Sequence, residues 1–284
     1  MIKFYLPNII EFQGVNLTLW DLLREHPEWF EDGVEIGAVY GTFNNAIWNG
    51  GRVLNNDFSD EDILNSLREY EMRQIPVRFT WTNTLLKPLH LQDNYCNWIM
   101  ESANNGLNEV IINSDLLEEY IREKYPKYKI VSSTTKCLLN KDTIKEEINK
   151  YPLMVLDYRK NRDFKFLEEL NKNKIEILIN PVCPIGCRRR KQHYDSLSLA
   201  QLGMEEDEFE CKYAYYNFYD NMKNNSAFIS KEELYDKFVK SGFKHFKIEG
   251  RTNHVVDVVE SYIYYMVKDE YKDIVRNNIL KAIW

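Results

Sequence analysis

Long apolar runs are missing: no stretch approaches the roughly 18 residues that a membrane helix requires, although hydrophobic residues make up 44% of the 284 positions. That apolar content is dispersed, as in a buried globular core, and no membrane association is expected. An excess of positive charge is missing too. At a net charge of -7 the chain lacks the field that coats nucleic acid, whose non-specific affinity comes from neutralising phosphates, so no extended nucleic-acid surface is expected. A disulfide framework is excluded by the odd count of five cysteines in a long chain, which leaves thiols for ligation, catalysis or packing. The N-terminal MIKFYLPNIIEFQG breaks at Pro7 and lacks an A-x-A-like cleavage site. It does not read as a signal peptide, and a cytoplasmic protein is expected. No G-x-S-x-G, H-E-x-x-H or glycine-rich phosphate loop is present, so peptide hydrolysis has no visible nucleophile. No Pro/Gly/Ser linker and no short-period repeat divides the chain, and residues 1–284 are expected to form one domain.

What is present is an alternation. Short β-branched runs at 33–41, 75–82, 108–114, 128–134, 152–158, 175–181, 227–230 and 243–250 are separated by amphipathic helical stretches. Ser59 with Asp62 and Ser230 with Glu233 have the spacing of helix caps, and the last helical stretch runs from about 253 to 282. Near-continuous apolar strands spaced by helices imply a parallel sheet covered by helices, and eight such units predict an α/β fold, a single (β/α)8 TIM-like barrel. A doubly wound open sheet is the alternative.

The barrel reading gives the cysteines a place, because loops after the strands gather at the face that carries chemistry. Cys183 and Cys187, in NPVCPIGCRRRKQHY, follow the run counted as the sixth strand; Cys137 follows the fourth, and Cys211 precedes the next. Cys96, among the apolar residues of NYCNWIM, reads as a packed helix residue. Pooled thiolates suit an iron–sulfur cluster or zinc. From spacing alone a bound metal, structural cysteines and redox chemistry all stay open, and His193 could complete a Cys3His zinc site. The basic run Arg188–Lys191 reads equally as a solvated helix start or as an anion contact. Asn83, Ser133, Thr134, Asp157, Asn180, Glu249 and Arg251 fall at strand ends, where a ligand would meet them. Glu249 and Arg251, two residues apart, are expected to project to one side, with the carboxylate ionised and the guanidinium able to grip an anion. The tyrosines of KYAYYNFYD offer faces for stacking on a ring.

The segment AFISKEELYDKFVKSGFKHFKIEGRTNHVVDVVESYIYYM resembles the closing portion of the collagenase-like peptidase family of unknown catalytic type, with KIEGR its specific element. GVEIGAVYGTF and FSDEDILNSLREYEMRQIPVRFTWTN resemble that family's opening, so the likeness runs from about residue 33 onward. The resemblance implies a (β/α)8 barrel. Members include peptidases and proteins of tRNA-uridine and ubiquinone hydroxylation, some of which work as pairs, and the better understood hydroxylation members hold a 4Fe-4S cluster on four cysteines. Lys247, Glu249 and Arg251 match KIEGR directly. Cys183, Cys187 and Cys211 occupy the region of the family's cluster ligands; their spacing is tighter, and no cysteine follows Cys211, which makes Cys137 the candidate for the fourth.

The resemblance therefore implies an iron–sulfur barrel protein, an enzyme or accessory factor that modifies a ring or nucleobase, with hydroxylation the leading reaction. Its catalytic residues would be Glu249 and Arg251, its substrate contacts Asn83, Asp157, Asn180 and Lys247, and its metal ligands Cys183, Cys187, Cys211 and Cys137. The expected partners are a small-molecule or nucleobase substrate and a second subunit. Zinc is the alternative cofactor, in a binding or scaffold barrel, and peptidase activity is the third reading.

Overall fold

Ile2, Phe4 and Leu6 alternate with Lys3 and Tyr5 along the first strand, and that period of two serves two cores at once. The even positions join the large core beneath the helices, whereas Tyr5 joins a separate cluster with Ala38, Tyr40, Ile111, Val131, Leu153 and Val155. These residues alternate in sequence with members of the first core, so they face the opposite way, into the lumen of a barrel. In the structure, a computed structural model that describes residues 1–51, 56–204, 209–211, 213 and 219–282, the strands are β1 Ile2–Pro7, β2 Val34–Gly41, β3 Val77–Trp81, β4 Glu109–Ile112, β5 Lys129–Ser132, β6 Leu153–Val155, β7 Ile175–Leu178 and β8 His245–Lys247. All neighbours pair in parallel, and β1 pairs with β8 to close the ring. The chain is a (β/α)8 TIM-like barrel.

The helices are α1 Gln13–Glu25, α2 Asp60–Met72, α3 Asn94–Ser102, α4 Asp115–Lys124, α5 Lys141–Lys150, α6 Phe164–Glu168, α7 Arg190–Gln201, α8 Tyr219–Met222, α9 Lys231–Glu233 (running on as a π-helix, Leu234–Val239), α10 Val255–Met266 and α11 Lys272–Lys281. Ser59 and Asp62 form the expected capping box on α2, and Ser230 accepts a hydrogen bond from the Glu233 amide. Cys96 is buried in α3, in the packed position expected of it. No helix among the described residues is long and apolar enough to cross a membrane.

Two element assignments change. β1 lies in the N-terminal segment, ahead of the eight strand-like runs in the sequence, and 227–230 is not a strand. Ala227, Phe228 and Ile229 are buried, but the contact of Ile229 with β7's continuation is a single backbone bond to Ile179 O (2.9 Å), after which Ser230 caps α9. The count of eight survives the exchange, but Cys137 follows β5 and Cys183 follows β7. The long C-terminal helix also divides: Val267 is extended and bridges Phe30, and α11 then turns back against α10 and α1.

The lower end of the lumen is plugged by charge. Arg78, 1% exposed, lies over the Tyr5 ring at 4.0 Å and donates to Glu109 (2.6 Å) and Glu176 (2.5 Å). Burial opposes its charge, yet the two carboxylates outweigh burial and hold its pKa above the ordinary value. Tyr5 and His245 share a 2.7 Å hydrogen bond in the same floor.

Candidate functional site at the barrel mouth

KIEGR continues β8 upward, and strand alternation sorts its side chains. Ile248 joins the outer core, while Lys247, Glu249 and Arg251 line a cavity of about 110 Å³ at the mouth. Gly250 has φ +145°, a conformation that side-chain-bearing residues rarely adopt, and a Cβ there would stand 3.1 Å from Val258. This turn delivers Arg251 across the top of the barrel, where Nη1 donates to Thr80 Oγ1 (2.6 Å) and Nη2 to Asn49 Oδ1 (3.3 Å). A Cβ on residue 51 would fall 1.9 Å from Nη2, so glycine at 51 is what lets the loop after β2 close over the arginine.

The residues expected to meet substrate divide into two groups. Lys247, Glu249, Arg251, Ser133 and Thr134 line the cavity. Asn180 instead clamps Glu249 from behind, donating to its carbonyl (3.0 Å) and accepting from its amide (2.7 Å), while Glu249 Oε2 accepts from the Val182 amide at 3.1 Å. Asn83 is fully buried and fastens loops: it donates to Ile47 O (2.8 Å) and Ser198 O (3.2 Å) and accepts from the Leu85 amide. Asp157 is likewise behind the lining. It accepts from Arg159 Nε (2.8 Å), Arg159 Nη2 (2.7 Å) and Arg190 Nη1 (2.5 Å). Burial disfavours its charge, but the bonds from Arg159 and the charges of Arg190 and Arg159 hold its carboxyl below the usual carboxylate range.

Within the basic run Arg190 stands apart: it is 2% exposed, packs over the Tyr158 ring at 4.6 Å and lines the mouth. The first turn of α7 points it inward, against the solvated reading of that run. Charge composition alone gives no direction; the one available signal was a helical period that places Arg190 and Tyr194 on a common face.

Lys247 is strongly perturbed by its surroundings. Burial pushes its amine down to about 7; Arg78 and Arg251 add to that effect, and Glu176 and Glu249 oppose it. The unfolded chain keeps this proton up to its ordinary value of 10.5, so the folded protein holds fewer protons between those limits. Stability from this group therefore rises with pH across the window, and the burial cost is complete below it. Lys247→Met removes the titration. Its stability relative to the parent in urea unfolding should be highest at about pH 6 and decline by about pH 9; a pH-independent difference would show that the amine does not titrate in that window.

A second cavity, of about 200 Å³, adjoins the mouth and is lined by Cys183, Cys187, Cys211 and His193. Cys183 and His193 line both cavities. The His193 ring stacks on Phe209 with centroids 4.5 Å apart. Among the described residues no three His, Cys, Asp or Glu side chains stand in a metal-holding arrangement, so these donors share a cavity without being drawn to coordination distance. Cys137, expected as the fourth ligand, lines neither cavity. It ends the turn after β5 in a left-handed conformation (φ 55°), and burial raises its thiol pKa. Of KYAYYNFYD, residues 212, 214–218 and the side chain of 220 lie outside the described residues.

No protein-family model matches the sequence. The uncharacterized protease MJ1657 of Methanocaldococcus jannaschii is 27% identical over 175 residues, covering 57% of this chain and 50% of that protein, so the chain spans about half the length of the curated relative it matches. Among solved structures, the U32 peptidase Mk0906 superposes with a TM-score of 0.54 at 13% identity over 87% of this chain and 92% of that one. The archaeal relative carries a protease name, and the solved U32 peptidase shares the barrel fold of this chain. The second cavity gathers three sulfurs and one imidazole, donor types that iron–sulfur clusters and zinc accept.

Proposed function

We propose that the protein is an iron–sulfur barrel that modifies a ring or nucleobase at its mouth, either as the enzyme or as an accessory factor. The centre is assigned to Cys183, Cys187 and Cys211, with His193 beside them. The observation that supports this reading is the sharing of Cys183 and His193 between the thiol cavity and the mouth cavity; a centre bound there would stand at the lip of the pocket. A bound cluster would supply one-electron redox capacity there. The chain's own residues do the rest. Arg251, fixed by Thr80 and Asn49, orients an anionic or carbonyl oxygen. Glu249, its backbone clamped by Asn180, holds or moves a proton. The apolar walls at Tyr40, Ile111 and Val155 exclude water from one face of a ring.

Anaerobic reconstitution with iron and sulfide, followed by metal analysis and visible absorption, tests the reading. A brown protein with bound iron and sulfide is expected. A colourless, iron-free preparation would sink it, and stoichiometric zinc that survives in air would replace it with a zinc-stabilised barrel. A second reading, peptide hydrolysis, draws on the protease name of the archaeal relative. It requires casein cleavage that Glu249→Gln abolishes; cleavage indifferent to that change belongs to a contaminant.

A further inference from the structure

The amine of Lys247 lines the mouth cavity, paired loosely with Glu176 and making no hydrogen bond to it. Its side chain is 7% exposed, and what remains open faces the mouth cavity. Nζ lies 3.6 Å from the centroid of the Tyr40 ring on β2 and 3.7 Å from Glu176 Oε1 on β7, beyond hydrogen-bond distance. Glu176 is already engaged by Arg78 from β3, and its Oε1 has no hydrogen bond. Glu176 and the Tyr40 face favour the ammonium, but burial without a hydrogen bond makes it costly, whereas a neutral amine is tolerated there and attacks carbonyl carbon readily. The charged groups around it divide: Arg78 and Arg251 favour the neutral form, Glu176 and Glu249 the protonated one, and burial, the largest influence, brings the amine down to about 7, so that a large share of it is neutral at neutral pH.

We propose that Lys247 is a covalent attachment site for a small carbonyl compound that carries an anionic group, with 2-oxo acids as the simplest such class. The Nζ lone pair attacks the carbonyl carbon, the π pair moves to oxygen, and a proton passes from nitrogen to that oxygen to give a carbinolamine. The C–O bond then breaks, the hydroxyl leaves as water after gaining a proton, and the nitrogen loses its remaining proton to leave a neutral imine. One carbonyl and one amine become one imine and one water, with no change of oxidation state. Glu249, close enough to bias the charge of Lys247 and lining the same cavity, relays the protons. Arg251, also in the lining, receives the anionic group. The 110 Å³ cavity suits a molecule of this size. No thiol takes part, so the proposal stands apart from the iron–sulfur reading.

The test uses the purified full chain, pyruvate as probe and sodium borohydride, which reduces an imine to a stable secondary amine, with peptide mass spectrometry to locate the adduct. Near neutral pH the adduct at Lys247 should exceed that at any other lysine by about tenfold or more, since an ordinary lysine is almost wholly protonated there. Labelling at Lys247 should rise with pH to a half-point near 7, where its amine titrates. Lys247→Arg, which keeps the cation, should lose the adduct while its unfolding curve shows it folded. Should that variant fail to fold, the distribution of adducts over the lysines of the parent protein decides alone. Adducts spread over exposed lysines, no adduct, or a half-point near the ordinary lysine value would overturn the proposal and leave Lys247 a structural cation. Failure of cluster reconstitution does not alter the expected labelling, and failed labelling says nothing against the cluster.

Discussion

Glu176→Ala should lower the stability of the barrel by about 3–5 kcal/mol in urea unfolding, the range expected when one partner of a buried ion pair is removed. Arg78 is 1% exposed and Glu176 fully buried, so the substitution strands a guanidinium in the lumen floor with only Glu109, at 2.6 Å, left to compensate it. Lys247 also loses its nearest carboxylate, which drives its amine further toward the neutral form. The double variant Arg78→Met/Glu176→Leu should recover most of the loss, because two apolar side chains leave no orphaned charge. A loss below about 1 kcal/mol in the single variant, the size of an ordinary surface pair, would show that Glu109 alone suffices and that the floor is not held by Glu176.

Cys183→Ala, Cys187→Ala and Cys211→Ala should each strip most of the metal from the reconstituted protein, since a thiolate ligand at the shared cavity has no substitute beside it. Cys137→Ala should retain it. That residue was the sequence's choice for a fourth ligand, but its thiol stands among Asp157, Arg159 and Arg190 and lines neither cavity. Cys96→Ala should keep full metal and cost about 1–2 kcal/mol as a small core truncation. Plasma emission analysis of the five proteins reads the pattern directly. Full metal in the Cys183 and Cys187 variants would reduce CPIGC to a turn whose cysteines fill space.

Much of the architecture was legible because a parallel strand buried on both faces must be apolar almost throughout. That signal located β2 to β8. It failed at both kinds of exception. β1 carries Lys3 and ends in Pro7, so its six residues read as an irregular terminus, although Pro closes the strand without breaking its pairing with β2. Residues 227–229 are as apolar as a strand because they are buried, but their backbone does not join the ladder. At the site, KIEGR was legible as a motif, and its alternation placed Glu249 and Arg251 on one side correctly. Asn83, Asp157 and Asn180 lie at the same level of the barrel and turn out to support the lining. Which way a strand-end side chain turns depends on the loop above it, and no short-range pattern encodes that. The neutral amine of Lys247 and the inward turn of Arg190 depend on what surrounds them in three dimensions.

The seam between β1 and β8 has a consequence for how the molecule comes into being. Tyr5 and His245, bonded across it, are 240 positions apart, while the other neighbouring strands are consecutive in the chain. A pairing of such high contact order forms late, because loop-closure entropy is lost before the contact rewards it. On the ribosome β1 is made before β8 and keeps one edge unpaired until β8 has followed. The mouth waits with it: the Tyr40 hydroxyl reaches Ile248 O at 2.7 Å and Arg251 reaches Thr80 at 2.6 Å, so early and late segments complete the cavity together. A nascent chain has no pocket to load. A ligand captured by the finished one would touch Tyr40 of β2 and Lys247 of β8 together and draw the equilibrium toward the closed ring by mass action, so what the protein binds also holds early and late strands in one ring.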